Sequence, residues 1–309
     1  MISKVVTPLL KPAGRNYSRV VSINGKDYKV PIDFQEPEYD MDHLQNSSKV
    51  ILLRHANTVF NLEHDLFLAS NGYVRDVLDI QYEEKHRDTP LSEFGVEQAK
   101  YASRFARGLD IDLVLISPLR RTLQTAYYLL RTHPNKENMN YVVHPDIREH
   151  LVGVSEMTEN WENKFIDEYQ YYFPNLDSSL MRDEYGQCNE LFYCKDMQPE
   201  LRVKFRGKTR DEIEQLIRES AEQRFPRTSE LLECTYDRVK RVKKYIKKHI
   251  RNRDERDQHK KVLVITHSLL LKVWTGSWAG MTRPYKGLPN DSLLFSNCEF
   301  HPDTKSKYE

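Results

Sequence analysis

Cysteine is scarce, with four residues in 309, at positions 188, 194, 234 and 298. None of the spacings is the C-x2-C of a zinc site, and so few thiols exclude a disulfide framework; free thiols in a reducing compartment are expected. Long apolar runs are missing too. Val50–Leu53 and Leu113–Ile116 each stop after four residues, far short of the ~20 needed to cross a bilayer as a helix. Neither sign of charge dominates, with 47 Lys and Arg against 46 Asp and Glu. That excludes bulk attraction to nucleic acid or an anionic membrane as the organising force. No repeat and no low-complexity linker breaks the chain.

What is present is core material. Hydrophobic residues make up 39%, including 18 Tyr and 12 Phe, and the mean hydropathy of −0.71 describes a polar globular chain rather than a disordered one. Near the start, Lys4, Lys11, Arg15, Arg19 and Lys26 precede the first acid, Asp27, which weakly resembles a mitochondrial presequence. Against that, Val20–Ile23, Asn24-Gly25 and Lys26–Val30 read as a β-hairpin, because Asn-Gly suits a two-residue type I′ turn. The expected location is cytoplasmic, with mitochondrial the alternative.

Short branched runs at Lys49–Leu53, Asp112–Ile116, Tyr141–Val143 and Lys261–Ile265 have the length of strands buried on both faces. Helical periodicity lies between them, over Phe94–Arg107, Leu119–Arg131 and Glu230 to about Ile250. Strands alternating with helices predict an α/β fold, a mostly parallel sheet flanked by helices on both faces. Residues 1–47 read as an N-terminal extension and 48–309 as the main domain, with an inserted cap region at about 156–228 that is rich in Tyr, Asp, Glu and Arg. Ligands of open α/β sheets bind beyond the carboxyl ends of strands, so such an insertion would shape substrate entry.

The chemistry sits at those strand ends. Arg54-His55-Ala56-Asn57-Thr58 follows the first strand, with Asn61 beyond. Ser117-Pro118-Leu119-Arg120-Arg121-Thr122-Leu123-Gln124-Thr125-Ala126 follows the second, Arg148-Glu149-His150 comes after the third, and Thr266-His267-Ser268 follows the last. One histidine past a strand is commonly a packed or capping residue. Four loaded strand ends point instead to a shared crevice. Arginine forks match phosphate oxygens, neutral histidine attacks phosphorus, and a nearby carboxylate can protonate a leaving oxygen.

Arg54-His55-Ala56-Asn57 through Asn61 resembles the R-H-[GA]-[EQ]-x-x-x-N signature of the histidine phosphatase superfamily, whose members resemble phosphoglycerate mutase. The resemblance continues over Thr89–Ala99, Ser117–Ala126, Arg148–Leu151 and Val264–His267. It is most similar to the plant, fungal and protist mutase-like branch. The resemblance implies that His55 becomes phosphohistidine and that Arg54, Arg121, His267 and Asn61 bind the phosphoryl group. Glu149 would donate a proton to the leaving group, with Asn57, Thr58 and Ser268 behind these residues. It implies no metal and no cofactor. Two departures stand out: Asn57 replaces the usual Glu or Gln, and the E-R-H-Y-G run of glycolytic mutases is absent.

These readings favour a metal-independent phosphatase acting on a small phosphorylated substrate. The alternative is a catalytically weak or inactive relative serving as a structural or regulatory subunit, with a phosphomutase less favoured. A protein partner would bind through the N-terminal extension, the 156–228 insertion or the basic helix at 238–261. Nucleic acid is disfavoured, since Tyr245 alone interrupts the lysines and arginines of Arg238–Lys261 as a stacking platform.

Overall fold

The computed structural model of the chain describes residues 17–23, 26–32, 39–64, 83–156, 169, 171–181, 207–209, 212, 215–216, 219 and 230–308. The Asn24-Gly25 turn, residues 1–16, Cys188 and Cys194 and most of the 156–228 insertion lie outside them. Strands β1 (Tyr17–Ile23) and β2 (Lys26–Ile32) pair antiparallel in a sheet of their own, Ile23 opposite Lys26.

The main sheet contains β3 (Val50–Arg54), β4 (Ile111–Ile116), β5 (Asn140–Val143), β6 (Leu176–Asp177), β7 (Lys261–Thr266) and β8 (Phe300–Pro302). Their order is β6-β5-β4-β7-β3-β8, and all pairs are parallel except β3 with β8. The architecture is thus a mixed, mostly parallel sheet with helices, as the alternation of strand and helix patterns predicts. Side chains alternate across a strand, and the two faces divide the core accordingly. Ile51, Leu53, Val114, Ile116, Leu263 and Ile265 enter one cluster; Val50, Leu52, Leu113, Leu115, Val262 and Val264 enter the other.

Helices α1 (Met41–Ser47), α2 (Glu93–Ala106) and α3 (Arg120–Leu130) cover the first face through Leu44, Ala99, Ala102, Leu123 and Ala126. Helices α4 (Leu232–Arg251) and α5 (Ser268–Thr275) cover the second, through Val242, Ile246, Leu270 and Trp274. Ser92 caps α2 by accepting from Gly95 N at 3.0 Å. Glycine is required at 95 because a Cβ there would lie 1.9 Å from the carbonyl oxygen of Asn57. A helix and the loop that carries the site chemistry therefore meet with no room for a methyl group. No helix among the described residues is long and apolar enough to cross a membrane.

Candidate active site

Parallel strands that start level also end level, and this sets the site. Arg54 on β3 is registered with Thr266 on β7, and Ile116 on β4 with Ile265. His55, Ser117 and His267 each follow directly on a strand end. The ladder runs on into the loops: His55 N donates to Thr266 O (2.9 Å) and Ser117 N to Ile265 O (3.1 Å).

Each histidine has its tautomer fixed by a partner with one possible role. A carbonyl can only accept, so Nδ1 of His55, 2.7 Å from Ala56 O, carries the proton and leaves Nε2 with its lone pair. A guanidinium can only donate, so Nδ1 of His267 accepts from Arg121 Nε at 3.2 Å. His267 Nε2 then donates to Ser117 Oγ at 2.7 Å. The two rings lie 5.1 Å apart, centroid to centroid. Burial, then the charges of Arg121 and Arg54, hold His55 well below the usual histidine range; the Ala56 carbonyl opposes them. Burial, then Arg121 and His55 itself, do the same for His267. Both rings are neutral at physiological pH.

Arg121 is 4% exposed and also donates Nη1 to Ser155 O at 2.7 Å. Arg54 Nη1 donates to Phe295 O at 2.8 Å, and Asn297 Nδ2 donates to His55 O at 2.9 Å, so the loop before β8 buttresses the first strand end. The carboxylate of Glu149 accepts from three backbone amides, His150 N (2.8 Å), Leu269 N (3.2 Å) and Leu270 N (3.1 Å). Two of these open α5, whose N-cap residue, His267, makes no side-chain cap of its own. Glu149 therefore stands beside the His267 turn, held by a helix end.

The structure thus brings the buried His55, Arg121 and His267 together with the half-buried Arg54, and Glu149 stands at their edge. Asn61 is engaged differently: its Oδ1 accepts from Thr58 N (3.3 Å) while its own N donates to Thr58 Oγ1 (2.9 Å), a reciprocal cap on the helical residues 59–64. Asn57 Oδ1 accepts from Ser92 Oγ at 2.8 Å, tying the first strand end to the cap of α2. Ser268 opens α5. Among the described residues no group of three or more His, Cys, Asp and Glu side chains is placed to hold a metal ion.

Several contributors lie within the motif blocks, but the sequence does not say which groups they hold. Thr125 Oγ1 accepts from Ala56 N (3.0 Å), Gln98 Oε1 from Asn57 N (2.9 Å) and Gln124 Oε1 from Leu91 N (2.7 Å), so helices α2 and α3 supply the loops with acceptors. Ser117 opens the Ser117–Ala126 block, where nothing in the sequence points to its contact with His267. Glu156 lies 3.9 Å from Arg121 Nη2 and accepts from Gly153 N (2.8 Å) and Ser155 Oγ (2.5 Å). Burial pushes its carboxyl up against the opposing charge of Arg121.

Two buried, neutral histidines with the charges of Arg121 and Arg54 beside them are chemically suited to handling a phosphoryl group. Residues 50–183 match the histidine phosphatase superfamily (branch 1), and the chain is similar to phosphoglycerate mutases. It is 31% identical over 139 residues to the 2,3-bisphosphoglycerate-dependent phosphoglycerate mutase of Chlamydia abortus, covering 45% of this chain and 49% of that protein. It is 30% identical over 105 residues to fructose-2,6-bisphosphatase TIGAR B of Danio rerio, covering 34% of this chain and 35% of that protein. Among solved structures, the alpha-ribazole phosphatase from Shigella flexneri matches at a TM-score of 0.37 and 19% identity, over 72% of this chain and 75% of that one. The chain spans about half the length of the first curated relatives it matches.

Proposed function

We propose that the protein is a metal-independent phosphomonoesterase working through a phosphohistidine on His55, within the plant, fungal and protist R-H-A branch of its superfamily. The observation that carries this reading is the His55 tautomer. Nδ1–H is spent on Ala56 O at 2.7 Å, and Nε2 is left as a neutral nucleophile between two guanidinium groups.

In the first step Nε2 of His55 forms a bond to phosphorus as the ester P–O bond breaks. The leaving oxygen takes its proton from the Glu149 carboxyl. Arg54 and Arg121 stabilise charge on the equatorial oxygens, joined by His267 once its Nε2–H turns from Ser117 Oγ to the phosphoryl group; this is where phosphoryl transfer gains most from the protein. In the second step water attacks the phosphohistidine, Glu149 takes the proton, and inorganic phosphate leaves with His55 restored. The absence of the mutase E-R-H-Y-G run favours water over a second hydroxyl as acceptor.

The test is hydrolysis of p-nitrophenyl phosphate in EDTA by the wild type and His55→Ala. Turnover in the wild type alone, inhibited by orthovanadate, is expected. Equal turnover in both proteins would refute the reading. Phosphate binding without turnover in either would favour a retained fold serving as a subunit of a larger complex.

A further inference from the structure

Two charged side chains that no step above uses lie completely inside the protein. Arg238 on α4 is 0% exposed, and Glu230, just before that helix, is 5% exposed. Arg238 donates Nε to Glu230 Oε1 (2.8 Å) and Nη2 to Oε2 (2.7 Å), a two-pronged pair. Burial pushes the Glu230 carboxyl up, but Arg148 and Arg238 outweigh it and hold it down at about 2. Taking such a pair out of water is costly, and well-packed apolar residues often serve stability as well.

What the pair touches suggests why it is there. Arg238 Nη1 donates to Asp146 O and Arg148 O, both at 2.9 Å, and Nη2 lies 3.4 Å from Glu149 O. Glu230 N donates to Leu151 O (2.8 Å), while Leu151 N donates back to Glu230 Oε2 (3.3 Å). Thr235 Oγ1 sits between Arg238 Nη2 (3.3 Å) and His150 Nδ1 (2.8 Å). One guanidinium therefore grips the carbonyls of Asp146, Arg148 and Glu149, and Glu230 holds Leu151, so Glu149 lies between the two holds. From there its carboxylate reaches the amides of Leu269 and Leu270 beside His267.

We infer that Arg238, with Glu230 as its counter-ion, is a positioning residue that fixes the Glu149 carboxyl for proton transfer to the leaving oxygen. This rests on the reading of Glu149 as the proton donor. Arg238 takes no part in bond making. Its loss should harm the step that needs the proton and spare the step that does not.

Leaving groups separate the two. p-Nitrophenolate departs without protonation, whereas the alkoxide of β-glycerophosphate needs it. The full chain is measured on both substrates as wild type, Glu149→Gln, Arg238→Lys and Thr235→Val, with melting temperatures alongside. Glu149→Gln should lose about 10²-fold or more in kcat/KM on β-glycerophosphate and only a few-fold on p-nitrophenyl phosphate, because kcat/KM reports ester cleavage alone and not the later hydrolysis in which Glu149 is the base. Arg238→Lys should show the same skew, at least tenfold, and add little further loss on β-glycerophosphate when combined with Glu149→Gln. Thr235→Val keeps the ion pair and the side-chain shape; it should show a smaller skew of the same sign, a few-fold, even if Arg238→Lys does not fold.

Equal losses on both substrates in a folded Arg238→Lys, or no skew in Thr235→Val, would overturn the inference while leaving Glu149 as the acid. No skew in Glu149→Gln would overturn the reading of Glu149, and this inference with it. Loss or survival of turnover in His55→Ala reports on the phosphohistidine separately.

Discussion

Arg121 donates its Nε–H to Nδ1 of His267 across 3.2 Å, and this one bond decides which nitrogen of the histidine carries hydrogen. With Nδ1 occupied as an acceptor, the neutral ring offers Nε2–H, here to Ser117 Oγ. A cation beside a histidine usually signals only repulsion of a second charge. Here it also fixes a tautomer, which makes the arginine an orienter beside the phosphate-binding role proposed for it.

Arg121→Lys separates charge from geometry. Lysine keeps the charge but cannot supply parallel contacts to His267 Nδ1 and Ser155 O. We expect kcat/KM on p-nitrophenyl phosphate to fall by roughly 10²–10³-fold, the usual loss when one preorganised donor to a transition-state oxygen is removed. A change under about threefold, by steady-state kinetics, would show that point charge is all the site requires.

The neutral histidines make folding sensitive to mild acid. Both His55 and His267 are held well below 6.5 in the folded protein, whereas the unfolded chain protonates them near the ordinary value of about 6.5. The unfolded state then binds more protons, so stability falls as pH drops below about 6.5, by up to ~1.4 kcal/mol per pH unit for each histidine. His86, His133 and His150 are lowered too and add to the slope. Glu230 acts in a different window: its contribution is complete above about 4.5 and is lost progressively as pH falls from there through about 2. Denaturant melts of the wild type and His267→Gln at pH 7, 6 and 5 should therefore show a shallower loss in the variant; parallel lines would contradict the neutral, buried state.

Gly95→Ala should destabilise by at least about 1–3 kcal/mol, the usual range for overpacking, because the added Cβ falls 1.9 Å from Asn57 O, a backbone atom that cannot swing aside. Activity should fall with it, since Asn57 lies two residues from His55. Gly108→Ala is the control. Its Cβ meets nothing closer than 3.5 Å, and thermal melting should place it near the wild type or slightly above, through reduced freedom of the unfolded chain.

Thr125→Val tests the support under the nucleophile's loop. The swap keeps shape but removes the acceptor of Ala56 N (3.0 Å). An unsatisfied buried amide costs about 1–3 kcal/mol, and Ala56 also supplies the carbonyl that sets the His55 tautomer. Stability and kcat are expected to drop together; a stable variant with reduced kcat alone would place the effect in the tautomer.

Strands β3, β4, β5 and β7 were legible because each carries a short run of branched apolar residues, and all six residues of β7 are buried. Helices α2 and α3 were legible from the periodic spacing of Ala99, Ala102 and Ala106, and of Leu123, Ala126 and Leu130. α5 was not, because Leu269-Leu270-Leu271 follows a strand directly and shows no polar face to set the period. β8 escaped as well, being three residues with a proline, tolerable only at a sheet edge. The histidines and arginines were readable from their motif. The acceptors Gln98, Gln124 and Thr125 were not, because each serves an amide more than thirty residues away. Glu230 and Arg238 are eight residues apart, with the acid outside the helix, so no helical pairing rule connects them.

The level strand ends also bear on how such a protein can change over generations. A one-residue slip of β3 or β7 would send Ile51, Leu53, Leu263 and Ile265 into the opposite core layer, and would turn His55 or His267 away in the same stroke. A slipped descendant is removed for failing to fold before its chemistry is ever tried. Loops beyond the strand ends are under no such joint constraint, so new ligand preferences can be explored there while the histidine pair at the strand ends is inherited intact.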